Sequence, residues 1–285
     1  MGKKFRIGLF TSAWDAVAWE LVWMVHQAIQ AGIIPNAEIA FLLCTRERGE
    51  SQAGNLMIRN AQQAGLPLIT FSSLHFNPGL LEEGRRARQR GDPSILEVWR
   101  EEHDRAIAKL IPSTDLDMLL GYMWKFSSMM CQTRKIINLH PALPQGPKGT
   151  FREVIWELVK SQATETGVMI HFVTEILDRG NPVSFCRFPI RGGAFDSLWQ
   201  EMEQRLKCES LDEIAKKEGE KNPLFELIRR EGVEREPLMV VEAIRSVANG
   251  RIRIENGSIL DSQGRVLTEG HDLTQEINAV ITKNP

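Results

Sequence analysis

Nothing in this sequence is long and apolar. No run approaches the ~18 residues a membrane helix needs, and the amino-terminal stretch MGKKFRIGLF breaks at Thr11-Ser12, too short for a secretory signal core. Charge of one sign is also missing: 35 basic residues face 37 acidic ones, leaving a net charge of -2 and no whole-chain positive field to draw the protein onto nucleic acid. The four cysteines, Cys44, Cys131, Cys186 and Cys208, show no CxxC and no Cys/His ligand spacing. That pattern excludes a disulfide framework or zinc finger and reads as reduced, mostly buried thiols. Repeats and low-complexity tracts are absent as well. With 42% hydrophobic and 25% charged residues, disorder and fibrous architectures are excluded. What remains is a cytoplasmic globular protein of 285 residues, in one large domain or a main domain with an appendage, with a small molecule as the expected partner. Neither nucleic acid nor membrane is expected.

What is present is alternation. Short apolar runs at Phe5–Phe10, Glu38–Cys44, Pro67–Phe71, Asp117–Tyr122, Lys135–Leu139, Gly167–Val173 and Val183–Ile190 are separated by segments of helical period. Ala13–Ala31 stops at Gly32 and Ser51–Ala64 at Gly65, as helices do. This is the signature of an α/β protein: a mainly parallel, Rossmann-like sheet with helices on both faces. Two charged stretches interrupt it. Leu80–Ala108 interleaves acids and bases, breaks at Gly91-Asp92-Pro93 before a second helical segment, and reads as a solvated helix face or mobile insertion before a phosphate-binding patch. Ser210–Glu236 reads as a Lys/Glu-rich connector. Beyond it, Pro237–Ala248 has helical period and Asn256-Gly257 is a hairpin turn signal.

The strongest chemical signal is Ile136-Ile137-Asn138-Leu139-His140-Pro141. Side chains two apart on a strand face the same way, so Asn138 and His140 project together. Pro141 ends the strand there, at the carboxyl edge where open α/β sheets place ligands. The second signal is Gly167–Gly180, a strand followed by an acidic loop carrying Asp178. Within that strand, His171 reads as core packing or an orienting hydrogen bond before direct chemistry.

These residues carry a resemblance. Asn-x-His-Pro-x-Leu, followed about one helix later by Gly-x-x-x-His-x-Val-x-x-x-x-Asp-x-Gly, resembles the folate-dependent formyltransferase family, closest to its phosphoribosylglycinamide branch. The segment Gly121-Tyr122-Met123 with Ser127-Ser128, and the carboxyl-terminal Gly250-Arg251-Ile252 and Asn256–Val266 hairpin, extend the likeness across most of Phe5–Leu267. The resemblance implies a catalytic unit over 1–209 with a charged insertion near 76–108, a connector over 210–236, and a helix and hairpin over 237–285 packed on that unit. It implies catalytic roles for Asn138, His140 and Asp178, and 10-formyltetrahydrofolate as formyl-donating cosubstrate. A folate pocket is implied at Tyr122, Met123, Trp124, Lys125, Phe126, Val173, Thr174 and Glu175, where Met123, Trp124 and Phe126 are pocket walls or, alternatively, core.

The chemistry suits those residues. Formyl transfer to an amine passes through a tetrahedral oxyanion, which an Asn amide and a protonated His can hold, while an Asp relays the proton. No metal is required. One family feature is missing: the turn after the first strand, Thr11-Ser12-Ala13-Trp14-Asp15, lacks the glycines that let backbone N–H groups cradle a phosphate. Thr11 and Ser12 read there as helix caps before substrate contacts. Glycinamide ribonucleotide is therefore not the expected acceptor, unless Arg229 and Arg230 take over the phosphate, with Glu231 or Glu234 receiving the amine. Lys148, in the loop after His140, faces solvent or meets the folate tail or acceptor. Three functions stay open: formyl transfer to a small-molecule amine; 10-formyltetrahydrofolate hydrolysis, disfavoured because the hydrolases of this family carry a preceding domain; and folate binding without turnover. The protein is expected as a monomer or homodimer.

Overall fold

The computed structural model describes residues 2–282. Along the chain run β1 (Phe5–Thr11), α1 (Val17–Gln30), β2 (Ala37–Cys44), α2 (Gln52–Gln63), β3 (Leu68–Thr70), α3 (Pro78–Gln89), α4 (Ser94–Leu110), β4 (Leu116–Leu119), α5 (Ser128–Thr133), β5 (Ile136–His140), α6 (Phe151–Lys160), β6 (Glu165–Phe172), β7 (Pro182–Pro189), α7 (Ala194–Arg205), α8 (Leu211–Glu218), a 3-10 turn (Gly219–Lys221), α9 (Pro223–Ala248), β8 (Ile252–Glu255), β9 (Ser258–Asp261), β10 (His271–Asp272) and α10 (Thr274–Ile281). Eight strands form one sheet in the order β10-β7-β6-β5-β4-β1-β2-β3. Neighbours from β3 to β5 are parallel, β6 runs antiparallel to both β5 and β7, and β10 joins β7 in parallel. The chain winds from β1 outward to β3 and then returns to β4 on the other side. That reversal puts a crevice at the carboxyl ends of β1 and β4, where such sheets bind ligands.

Alternation along β1 fills two cores. Ile7 and Leu9 face one side with α1, α6, α7 and α9, while Phe10 faces the other with Phe41, Ile107, Phe126 and Met130. In α1 the buried residues Ala18, Leu21, Val22, Val25 and Ala28 form one stripe, and the helix ends at Gly32 with φ +71°. Asn256 and Gly257 both take positive φ, +50° and +76°, and close the β8–β9 hairpin as their sequence predicts.

Two expectations are corrected. The stretch Leu80–Ala108 is a helical pair, α3 and α4, packed through Leu81, Leu96 and Trp99, and not a wholly solvated or mobile segment. Its backbones meet closely enough that a Cβ on Gly84 would lie 2.9 Å from the Leu96 backbone. The stretch Ser210–Glu236 is likewise no connector: it forms α8, the 3-10 turn and the first half of α9, which passes unbroken through Pro237. Arg229–Glu236 and Arg235–Glu231 ion pairs lie along that half, and Leu224, Phe225, Leu227 and Ile228 are buried beneath it. The helical segments of Leu80–Ala108 and the break between them at Gly91-Asp92-Pro93 match the sequence reading, but dense exposed charge hid their buried stripe; in Ser210–Glu236 it hid the helical period itself, and Pro237 imitated a helix start. The segment β10–α10 had no counterpart among the sequence-based elements.

Candidate active site

Asn138 and His171 sit directly opposite each other in the antiparallel β5–β6 pair. Cross-strand neighbours share a face and come within reach, and here Asn138 Nδ2 lies 3.3 Å from His171 Nε2. The His171 Nδ1 is 3.1 Å from the Phe172 carbonyl, so Nδ1–H donates there and Nε2 accepts from the Asn138 amide. This fixes the amide and leaves its second N–H free. Asp178 Oδ1 is 3.6 Å from the same His171 Nε2. His171 thus makes the orienting contact that its place in a β pattern allowed.

His140, buried two residues beyond Asn138, has its ring centroid 6.3 Å from that of His171. Its Nε2 lies 3.0 Å from the Pro147 carbonyl and donates to it. Burial lowers the His140 pKa, against the Pro147 carbonyl and the Asp178 charge, which raise it. His140 therefore rests neutral at pH 7, in contrast to the charged imidazole the chemistry suggested from sequence. His171 is pushed down by burial as well. Asn138, His140 and Asp178 are thus gathered about His171, on the β5–β6 pair and the loop that leaves β6 beside the start of β5.

Asp178 occupies the left-handed region at φ +53°. Gly180 is needed for close approach and not for its φ: a Cβ there would lie 1.5 Å from the Phe172 carbonyl oxygen. Just before Asp178, Ile176 and Leu177 stand 68% exposed, an apolar pair beside polar groups. Val173 N–H donates to the Ile136 carbonyl (2.8 Å), Thr174 Oγ1 donates to the Ile176 carbonyl (3.0 Å), and Glu175 accepts from Gln132 (3.0 Å).

The other proposed pocket segment divides. Met123 is 61% exposed, but Phe126 is core, and Trp124 packs 5.1 Å from Trp99 of α4 with Arg85 over its ring. Lys125 pairs with Glu97 at 3.6 Å. Tyr122 stacks on Phe126, and its buried hydroxyl has no hydrogen-bond partner among the described residues; burial raises its pKa far above the usual phenol value. The buried Asp104 of α4 accepts from the Ser127 N–H at 2.6 Å and so anchors this segment. Sequence reading missed that anchor because an Asp among alternating charges carries no sign of burial.

At the first turn, neither Thr11 nor Ser12 caps α1. Both are buried: Thr11 Oγ1 accepts from Ala13 N–H (3.0 Å), and Ser12 Oγ accepts from Met123 N–H (2.9 Å) and from the Thr45 hydroxyl (3.0 Å). The cap is Asp15, whose Oδ1 accepts from Ala18 N–H at 3.2 Å. Ala13 takes φ +44°, holding without a glycine a turn that glycine makes at no steric cost. Lys148 is exposed and lies 3.5 Å from the Pro144 carbonyl; partial burial lowers its pKa. Farther round, Phe225, Arg229, Arg230 and Glu234 line an open groove of about 890 Å³. Arg229 lies over the Phe151 ring at 4.6 Å and pairs with Glu236, while Glu231 is taken by Arg235 at 2.9 Å.

Residues 82–209 match the family described as Formyl transferase, a span that contains Asn138, His140, His171 and Asp178. The chain is 25% identical over 158 residues to phosphoribosylglycinamide formyltransferase of Saccharomyces cerevisiae, covering 52% of this chain and 69% of that protein. The matched span gives this chain a formyl transferase domain. The chain shares its fold with the phosphoribosylglycinamide formyltransferase of Coxiella burnetii, at TM-score 0.62 and 20% identity over 94% of this chain and 99% of that one. A formyltetrahydrofolate deformylase of Pseudomonas syringae also shares the fold, at TM-score 0.55 and 14% identity over 91% of this chain and 66% of the deformylase. Among the described residues of the enzyme, no helix is long and apolar enough to cross a membrane.

Proposed function

We propose that the enzyme transfers the formyl group of 10-formyltetrahydrofolate to an amine of a small metabolite. The observation that carries this is the grouping of Asn138, His140 and Asp178 about His171. The acceptor nitrogen attacks the formyl carbon, and the carbonyl oxygen becomes an oxyanion. Asn138, its other amide hydrogen held by His171, directs its free N–H at that oxygen. The attacking nitrogen loses a proton as N10 gains one and departs. Neutral His140 takes up this proton, the charged imidazole is stabilised by the Asp178 carboxylate, and the proton returns to the leaving nitrogen.

Folate fits between Tyr122–Ser127 and Val173–Asp178, with Met123, Ile176 and Leu177 as exposed apolar surface and backbone groups for the pterin. In this reading glycinamide ribonucleotide is a poor acceptor. At the first turn, Ser12 N–H bonds the Gly121 carbonyl, Ala13 N–H Thr11 and Ala18 N–H the Asp15 carboxylate, which takes three donors away from a phosphate, and the glycine-free turn sets Trp14 and Asp15 on its exposed side. With Arg229 and Glu231 committed to Glu236 and Arg235, Arg230 and Glu234 remain to meet an acceptor, beside Lys221 and Glu226 of the same groove. The same reading places the enzyme in the cytoplasm. A crystal structure with tetrahydrofolate tests the assignment: the pterin is expected between the two segments, and a pterin bound elsewhere refutes it.

A further inference from the structure

The turn after β2 and the segment after β3 bring together three metal-ligand side chains that formyl transfer does not use. Glu47 and Glu50 belong to the turn that leads into α2, and His75 precedes α3. One carboxylate oxygen from each Glu and one His75 ring nitrogen all lie within 4.8 Å of one another. His75 Nδ1 is 3.4 Å from Glu50 Oε1. Two donors on one tetrahedral ion, each at about 2.1 Å, are separated by roughly 3.4 Å, so this pair already has the spacing of two ligands.

Glu50 supplies the independent observation. Its side chain is only 8% exposed, and both carboxylate oxygens are buried with no hydrogen-bond partner among the described residues. The local donors are directed elsewhere: Gly49 N–H to Asn55, Glu50 N–H to the Glu47 carbonyl and Gly54 N–H to Ser51. Arg46 reaches the Ser12 carbonyl and lies over Trp14, and Arg48 binds Gln62. A carboxylate removed from water with neither oxygen satisfied calls for a cation. A protonated His75 would serve one oxygen and leave Glu47 unexplained. A divalent ion uses all three groups, balances both carboxylates and needs only the neutral imidazole.

We propose that Glu47, Glu50 and His75 bind a divalent first-row transition metal ion, with Zn²⁺ the best match. The imidazole favours such an ion over Mg²⁺ or Ca²⁺, which prefer all-oxygen sets. Exposed Glu47 and His75 leave a fourth position open to water. The ion joins the ends of β2 and β3 and fixes the turn whose Thr45 hydroxyl and Arg46 guanidinium hold Ser12, at 3.0 and 3.4 Å. It clamps the first loop and takes no part in the transfer step.

Chelator-treated full-length protein titrated calorimetrically with ZnCl₂ is expected to bind close to one ion per chain, with a Tm rise of roughly 5 °C near saturation. Glu50→Gln and, separately, the exposed-site variant His75→Ala should each weaken Zn²⁺ binding by about tenfold or more, and MgCl₂ should give no comparable shift. Absence of stoichiometric Zn²⁺ binding by the wild type, binding unchanged in His75→Ala, or equally tight Mg²⁺ binding overturns the proposal. If Glu50→Gln does not fold, His75→Ala still decides.

Discussion

Asn138 and His140 owe their common direction to strand alternation, but their working geometry to His171, which holds the amide from the opposite strand. Replacing His140 by Ala should lower turnover by about a hundredfold or more while leaving folate affinity largely intact, the usual size of an acid–base contribution. Wild-type turnover in that variant would remove His140 from the mechanism. Burial also sets a pH signature. Both His140 and His171 are held below their ordinary value of 6.5, so on acidification the unfolded chain binds protons that the folded chain resists. Stability from these groups is intact above pH 6.5 and falls as the pH drops below it. Thermal melts from pH 8 to 5 should show that decline, shallower in His140→Ala; equal slopes would contradict it. Thiol chemistry is similarly decided by burial. Cys44, Cys131 and Cys186 are buried and pushed up to about 11, whereas Cys208 is exposed. A thiol reagent should titrate about one cysteine in the native protein and all four after denaturation. At this scale the shared direction of Asn138 and His140 was legible because a strand period and a proline fix where they point. The Asp15 cap and the buried Asp104 were not, since a carboxylate's partner depends on folding that local sequence does not specify.

Among the elements, the loop after β6 and the start of α6 carry the greatest local constraint. Adding a methyl at Gly180 drives a Cβ into the Phe172 carbonyl. Gly180→Ala should therefore displace Asp178 and lower both Tm and turnover, and unchanged values for both would disprove the close-approach argument. The loop that brings Pro147 to His140 ends in a capping box, Thr150 with Glu153, at the start of α6. Thr150→Ala should cost about 1 kcal/mol in denaturant unfolding, the ordinary value of an N-cap. The strands β1 to β7 were legible from short apolar runs bounded by turns, and α1 and α2 from their periods and terminal glycines. The helical segments α3 and α4 were legible with the Gly91-Asp92-Pro93 break between them, but not their packing, and α8 with the first half of α9 was obscured because their exposed faces carry most of their charge. Strand β10 is two residues long and pairs only through distant β7, a contact that no local pattern announces.

For the whole molecule, the sheet's reversal between β1 and β4 gathers three segments at one crevice: the turn after β1, the Tyr122–Ser127 segment and the Asn138/His140 strand end. Their coupling through Ser12, which accepts from Met123 N–H, ties the first turn to the proposed folate segment. This bond commits the Ser12 hydroxyl within the crevice, and in the proposed function the acceptor is chosen by groups beyond the first turn. The rate of tetrahydrofolate release from 10-formyltetrahydrofolate, measured with and without a panel of small amines and with glycinamide ribonucleotide, tests this most directly. Release should be slow alone, rise with at least one amine as its formylated product appears, remain low with glycinamide ribonucleotide, and fall in His140→Ala. Equal release with and without amines, with formate as the product, would instead make the protein a hydrolase and contradict amine transfer.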